Sequence, residues 1–176
     1  MISDGLPISD SDPRKPVQKA TSAVMEDELT YSRILVPIDF SECSKKSTSY
    51  AARFASRYGA TLLLVHVFEA RGYGVGGDQV AKPDSELLKS HADAVEGAAR
   101  RSLANIENQL RDRGINVEAY QSTGCPFHEI VKIAGQLHVD LIIIGSHGRT
   151  GLTHLLLGSV AERVVEHAQC SVLVVK

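Results

Sequence analysis

The segment Gly145-Ser146-His147-Gly148-Arg149-Thr150-Gly151 follows a wholly aliphatic run, Leu141 to Ile144, and the pair Gly158-Ser159 opens a helical pattern. Glycine at a strand exit and again at a helix entry bares backbone amides at both ends of one loop. Bared amides bind anions: a helix amino terminus carries unsatisfied N–H groups and a partial positive charge, and a glycine lets a phosphate come close to the chain. His147 and Arg149 are placed to add charge. Each glycine alone would be read as a tight turn, and Ser159 with Glu162 fits the S-x-x-E capping box. Their joint position favours a ligand site, because ligands of open α/β sheets lie beyond the carboxyl ends of the strands.

Other phosphate chemistry is excluded or weak. No G-x-x-x-x-G-K-[ST] occurs, so the lysine that a P-loop NTPase brings to the outer phosphates is missing. Gly72-Tyr-Gly74-Val-Gly76-Gly77 satisfies G-x-G-x-x-G, yet Pro83 and polar residues delay the next helix, and the segment reads as a mobile connection. His66 lies in an apolar strand and reads as a core histidine. His91, His128, His138, His154 and His167 lack metal-ligand spacing, so no protein-bound metal is expected.

The elements that must position the loop follow from periodicity. Ile34, Leu35, Val36 and Ile38 form a first buried strand ending at Asp39, and a helix runs through Tyr50, Ala51, Phe54, Ala55 and Tyr58 to Gly59. Thr61 to Phe68 is the second strand. Leu88, Ala92, Val95, Ala99, Leu103, Ile106 and Leu110 mark one stripe of a long helix that starts near Asp84 or Ser85 and stops at Gly114. From Ile115 to Tyr120 apolar and polar residues alternate, as in a strand at a sheet edge. A helix from Pro126 to His138, the strand Leu141 to Ile144, a helix from Ser159 to His167 and a strand from Ser171 to Val175 complete the series. Strands alternating with helical crossovers predict a five-stranded parallel, doubly wound α/β sheet with helices on both faces.

Residues 1–30 hold six acids, three basic residues and three prolines without periodicity, and read as a flexible polar extension before a domain over 31–176. The 176 residues suffice for one domain with its own core. A formal charge of −2 provides no field that would attract nucleic acid or an anionic membrane. Cys43, Cys125 and Cys170 form no C-x-x-C pair, which suits reduced thiols and a cytoplasmic location. No apolar run approaches the ~20 residues of a membrane helix.

The pattern Gly145-x2-Gly148-x9-Gly158-Ser159, with Val36-Pro37-Ile38-Asp39 and Ser171-Val-Leu-Val-Val175, resembles the universal stress protein family in its ATP-binding branch, over Tyr31 to Lys176. The resemblance implies a Rossmann-like, adenine nucleotide alpha hydrolase-like fold, with ATP across the ends of the first and fourth strands. Asp39 would face ribose and adenine, Pro37, Val67 and Ile144 would frame the base, and Gly145 would pass near the ribose. His147, Gly148, Gly158, Ser159 and Val160 would hold the phosphates. The residues agree with this division, since a carboxylate accepts ribose hydroxyls and repels phosphates; Asp39 also fits the simpler role of capping a helix that begins near Ser41. The resemblance further implies a homodimer through the last strand, an apolar edge suited to pairing.

No water-positioning base stands out, so the expectation is a nucleotide sensor or regulator with at most slow ATP hydrolysis, magnesium arriving with the nucleotide. Two other readings compete. A nucleotide-independent dimeric interaction module would dock onto a partner with the loop empty or holding another phosphate-bearing ligand, and a flavin or dinucleotide electron-transfer module would be coloured.

Overall fold

The computed structural model describes residues 30–69, 86–148 and 157–176; in the second block, side chains are described from residue 92 onward. The extension before Thr30, Gly72 to Gly77, Arg149 and His154 lie outside the described residues.

Five strands and four helices alternate along the chain: β1 (Arg33–Pro37), α1 (Glu42–Tyr58), β2 (Thr61–Glu69), α2 (Glu86–Asp112), β3 (Val117–Gly124), α3 (Pro126–Gln136), β4 (Leu141–Gly145), α4 (Ser159–His167) and β5 (Ser171–Val175). All the strand pairs are parallel, in the order β3-β2-β1-β4-β5. The chain therefore winds outward from β1 to one edge, crosses back to β4, and winds to the other edge. Both edges match the alternation predicted for β3 and the terminal position predicted for β5.

Two apolar layers sandwich the sheet. Ile34, Val36, Leu62, Leu64 and Ile143 pack with Ala51, Ala52 and Ala55 of α1 and with Leu103 and Leu110 of α2. Leu35, Leu63, Val65, Ile142 and Ile144 pack on the other face with Ile130 and Ala134 of α3 and Ala161 and Val164 of α4. The central strands are apolar on both faces because helices cover both, as parallel sheets require. Small alanines on α1 let that helix lie close to the sheet.

Helix α1 begins where the sequence placed it, near Ser41, which is its N-cap and accepts from the Ser44 amide at 3.2 Å. Boundaries of β3 and α3 differ from the periodicity. Ile115 precedes β3: Gly114 adopts φ +76°, and the Ile115 amide returns to the Leu110 carbonyl at 3.1 Å, a Schellman closure that buries Ile115. Strand β3 then continues to Gly124 along β2. Helix α3 ends at Gln136, and His138 turns left-handed at φ 50°.

Asp140 ties the start of β4 to the start of β1. One of its carboxylate oxygens accepts from the amides of Ser32 at 2.7 Å and Arg33 at 2.8 Å, and its own amide donates to the Arg33 carbonyl. On the far flank, Ser122 of β3 donates to Glu129 of α3 at 2.7 Å, and this bond holds the Glu129 carboxyl below its ordinary range, with Lys132 adding to the effect.

Ile142 is fully buried between β1 and β5 under α3 and α4. Ile142→Ala is expected to cost about 2–5 kcal/mol of stability, because the tightly packed layer cannot close the void. Urea unfolding checks this, and a loss below about 1 kcal/mol would contradict the packing described.

Candidate functional site

Strand order reverses between β1 and β4, and the helices that follow these strands lie on opposite faces, α1 on one and α4 on the other. A gap opens where the two connections part, at the carboxyl edge of the sheet. It forms a cleft of about 250 Å³ lined by Pro37, Ile38, Asp39, Val65, Val67, Ile144, Gly145, Ser146, His147, Gly148, Gly158, Ser159 and Val160, among others. Ten of the eleven residues singled out in the sequence thus border one cavity, and the eleventh, Arg149, lies outside the described residues.

Asp39 reaches its place through the β1–α1 turn. The Ile38 amide extends the ladder past Pro37 by donating to the Val65 carbonyl at 2.7 Å. The Asp39 Oδ1 atom then accepts from the Ser41 amide at 3.0 Å and the Ser41 hydroxyl at 2.6 Å, so Asp39 buttresses the N-cap of α1. Its own amide donates to Ser44 Oγ at 3.3 Å. Ser41 rather than Asp39 is thus the N-cap, and Asp39 supports it with one oxygen. Oδ2 is turned toward Gly148, where an added Cβ would stand 2.9 Å from it.

The loop after β4 is closed at its neck. The Ser146 amide donates to the Val175 carbonyl at 2.7 Å, and the Gly158 amide donates to the Ser146 carbonyl at 2.7 Å. The two ends of the x9 spacing are thereby brought together: a Cβ on Gly158 would lie 3.1 Å from the Ser146 carbonyl oxygen and 3.4 Å from His147 Cα. Among the described residues the glycines with positive φ are Gly59, Gly114 and Gly124, and Gly145, Gly148 and Gly158 are not among them. Tight turning is thus not what these three positions require. Close approach is, and at Gly145 the neighbour is protein, since a Cβ would meet Cys43 Cβ at 2.9 Å and the Cys43 carbonyl carbon at 3.0 Å.

Ser159 is the first residue of α4 and Gly158 its N-cap, with no side-chain cap bond. The expected Ser159–Glu162 capping box is therefore not formed; the Glu162 amide bonds to the Gly158 carbonyl instead, at 2.9 Å. Glycine at the cap has no oxygen to offer, so the amides of Ser159, Val160 and Ala161 begin the helix without an intrahelical partner. His147 is half-buried, and its Nδ1 lies 3.0 Å from the Ser146 hydroxyl. The cleft therefore combines an apolar wall of Pro37, Val67 and Ile144 with a carboxylate from the β1 connection and bare amides from the start of α4.

His66 is buried and bonded, as the core reading required: Nδ1 lies 2.6 Å from the Ile38 carbonyl. Ser44, Glu69, Pro126 and Ile130 also line the cleft and were not singled out beforehand. Glu69 was accessible to the same rule that marked Asp39, being the end of a parallel strand. Pro126 and Ile130 carry no local signal, since only packing of α3 across the sheet brings them there. Among the described residues, no group of three or more His, Cys, Asp or Glu gathers as a metal site, and no helix is long and apolar enough to cross a membrane.

The family model described as "Universal stress protein family" matches residues 30–176. The chain belongs to the universal stress protein family. It is similar to universal stress protein MJ0531 of Methanocaldococcus jannaschii, with 33% identity over 156 residues covering 88% of each chain. Its similarity to universal stress protein MJ0577 of the same organism is 35% over 156 residues, covering 83% of this chain and 95% of that one. The solved structure of MJ0577 superposes with a TM-score of 0.72 over 84% of this chain and 97% of that chain. Universal stress proteins solved in complex with cAMP, and from Archaeoglobus fulgidus with dAMP, share the fold at TM-scores of 0.56 and identities of 20% and 22%. The Rossmann-like parallel α/β class and the family resemblance read from the sequence both hold.

Gly145→Ala would press a methyl group onto the backbone of α1 at Cys43. A destabilisation of about 1–3 kcal/mol is expected from such overpacking. Gly148→Ala, whose methyl meets only the Asp39 carboxylate, should stay within about 0.5 kcal/mol of the parent, as surface changes do. Urea unfolding of both variants checks the contrast, and equal midpoints would refute it.

Proposed function

We propose that this universal stress protein binds an adenine nucleotide, ATP by preference, in the cleft between β1 and β4 and acts as a nucleotide-dependent sensor or regulator. One observation carries the reading: Asp39 Oδ2, which accepts no hydrogen bond among the described residues, and the uncapped amides of α4 border the same cleft from different elements. The polarity of the site assigns the ends of the ligand. Asp39 accepts ribose hydroxyls and Pro37, Val67 and Ile144 frame the base, while Gly145 runs beside the ribose. The amides of Gly148, Ser159 and Val160, with the Ser159 hydroxyl and His147, donate to phosphate oxygens; Gly158, whose amide is bonded to the Ser146 carbonyl, holds the phosphates as the side-chain-free cap that leaves these amides open, and Arg149 adds charge from the same loop.

Turnover is slow at most. Rapid hydrolysis requires an oriented water and neutralisation of the developing charge, and the only titratable group in the phosphate half among the described residues is His147. Magnesium would accompany the nucleotide. A bound nucleotide that persists suits a regulator, which responds to occupancy.

Dimerisation through β5 belongs to the same proposal. Strand β5 is an edge of the sheet, and Val172, Leu173 and Val174 are only partly buried; pairing with a second copy would complete both edges. Sedimentation equilibrium is expected to give twice the chain mass, and a monomer at micromolar concentration would remove this part.

Calorimetric titration tests the ligand. Selective binding of ATP and AMP over GTP is expected. Asp39→Ala should weaken adenosine and ATP alike by about tenfold, as loss of one charge-assisted hydrogen bond does, whereas Ser159→Ala should weaken ATP and ADP but spare adenosine. The reverse pattern would exchange the two ends of the ligand. A folded protein that binds no adenine nucleotide would favour the nucleotide-independent interaction module.

A further inference from the structure

His66 is buried at 3% exposure in β2, and the capping, packing and ligand roles described above leave it unused. Its ring touches the segment that carries Asp39 on both sides of that residue. Before Asp39, His66 Nδ1 lies 2.6 Å from the Ile38 carbonyl oxygen. After it, the Phe40 ring packs on the imidazole with centroids 4.8 Å apart, and Phe68 closes the other side edge-on at 4.6 Å. Phe40 has φ 66°, the left-handed conformation that a residue with a side chain avoids. Such a backbone persists only where its surroundings impose it, and imposed backbone strain gathers at binding sites.

We infer that His66 is a positioning residue for the nucleoside end of the cleft: it clamps Ile38 and Phe40 and thereby fixes the turn that aims Asp39. The inference rests on the ligand reading above for its effect on binding, but the clamp itself is a property of the free protein. A carbonyl oxygen only accepts, so Nδ1 must carry a hydrogen. The donation takes up the Ile38 carbonyl at the point where the β1–β2 ladder ends, beyond the Ile38 amide bond to Val65. The Phe40 ring, held between His66 and the body of the domain, keeps the backbone left-handed at the next residue. Between these anchors Asp39 has one arrangement, in which Oδ1 meets Ser41 and Oδ2 remains for the ligand. The sequence alone concealed this role, because a histidine inside an apolar strand reads as core.

Three variants and one measurement on the parent protein test it. In His66→Phe, which keeps the ring between its aromatic neighbours but has no donor, amide exchange at Asp39 and Ser41 should quicken about tenfold while β4 stays protected. Adenosine affinity should fall by about the same factor, and the fall should vanish in an Asp39→Ala background, where there is no carboxylate left to aim. His66→Asn, whose amide nitrogen can stand where Nδ1 stood, should recover most of both losses. Unchanged exchange and affinity in a folded His66→Phe protein would overturn the inference, as would a His66→Asn protein no better than His66→Phe, or an affinity loss that adds in full to that of Asp39→Ala. Nitrogen-15 NMR of the parent should show the Nδ1–H tautomer, and an Nε2–H tautomer overturns the clamp even if no variant folds. If the parent binds no adenosine, the ligand reading fails and the exchange and tautomer results still decide the clamp.

Discussion

Parallel pairing of β1 with β4, Ile34 against Leu141 and Leu35 against Ile142, places two strands side by side whose following helices cover opposite faces of the sheet. Their connections must part at the carboxyl edge, and the gap between them cannot be filled by either helix. Everything at the site follows from this separation. The β1 connection brings a carboxylate to the gap and the β4 connection brings glycines and a helix start, so the chemistry of the two lips is different from the outset. The bond from Asp140 to the amides of Ser32 and Arg33 secures the same strand pair at its opposite end.

The glycines illustrate how tightly the lips are built. None of Gly145, Gly148 or Gly158 adopts a positive φ, and each instead has a close neighbour where a side chain would begin: Gly145 the backbone of α1, Gly148 the Asp39 carboxylate, and Gly158 the Ser146 carbonyl. The spacing pattern thus combines neighbours of different kinds: Gly145 seats α1, Gly148 lies beside the Asp39 carboxylate, and Gly158 closes the neck of the loop on Ser146. Asp39 likewise divides its oxygens, one supporting the cap of α1 and one turned toward Gly148 at the cleft.

Much of the fold was legible because its signals are local. Leu141 to Ile144 are apolar on both faces, which only a strand covered by helices on both sides would bury, and Ile115 to Tyr120 alternate, which only an edge strand would do. Boundaries moved where a local preference met a specific bond. Ile115 leaves β3 because the Gly114 turn returns it to Leu110. The capping box expected of Ser159 and Glu162 failed for a comparable reason: the helix starts one residue earlier than that motif needs, with Gly158 as the cap.

Residue order by itself determined the strand and helix succession, the parallel class and the glycine pattern that marks the family, because periodicity and glycine spacing are properties of neighbours along the chain. Tertiary structure decided which oxygen of Asp39 is available, that Pro126 and Ile130 border the cleft, and that His66 grips Ile38 and Phe40. Those facts depend on strands and helices that are far apart in sequence meeting at a shared edge. No local rule encodes the distance between a histidine in β2 and a carbonyl at the end of β1; packing of the sheet sets it.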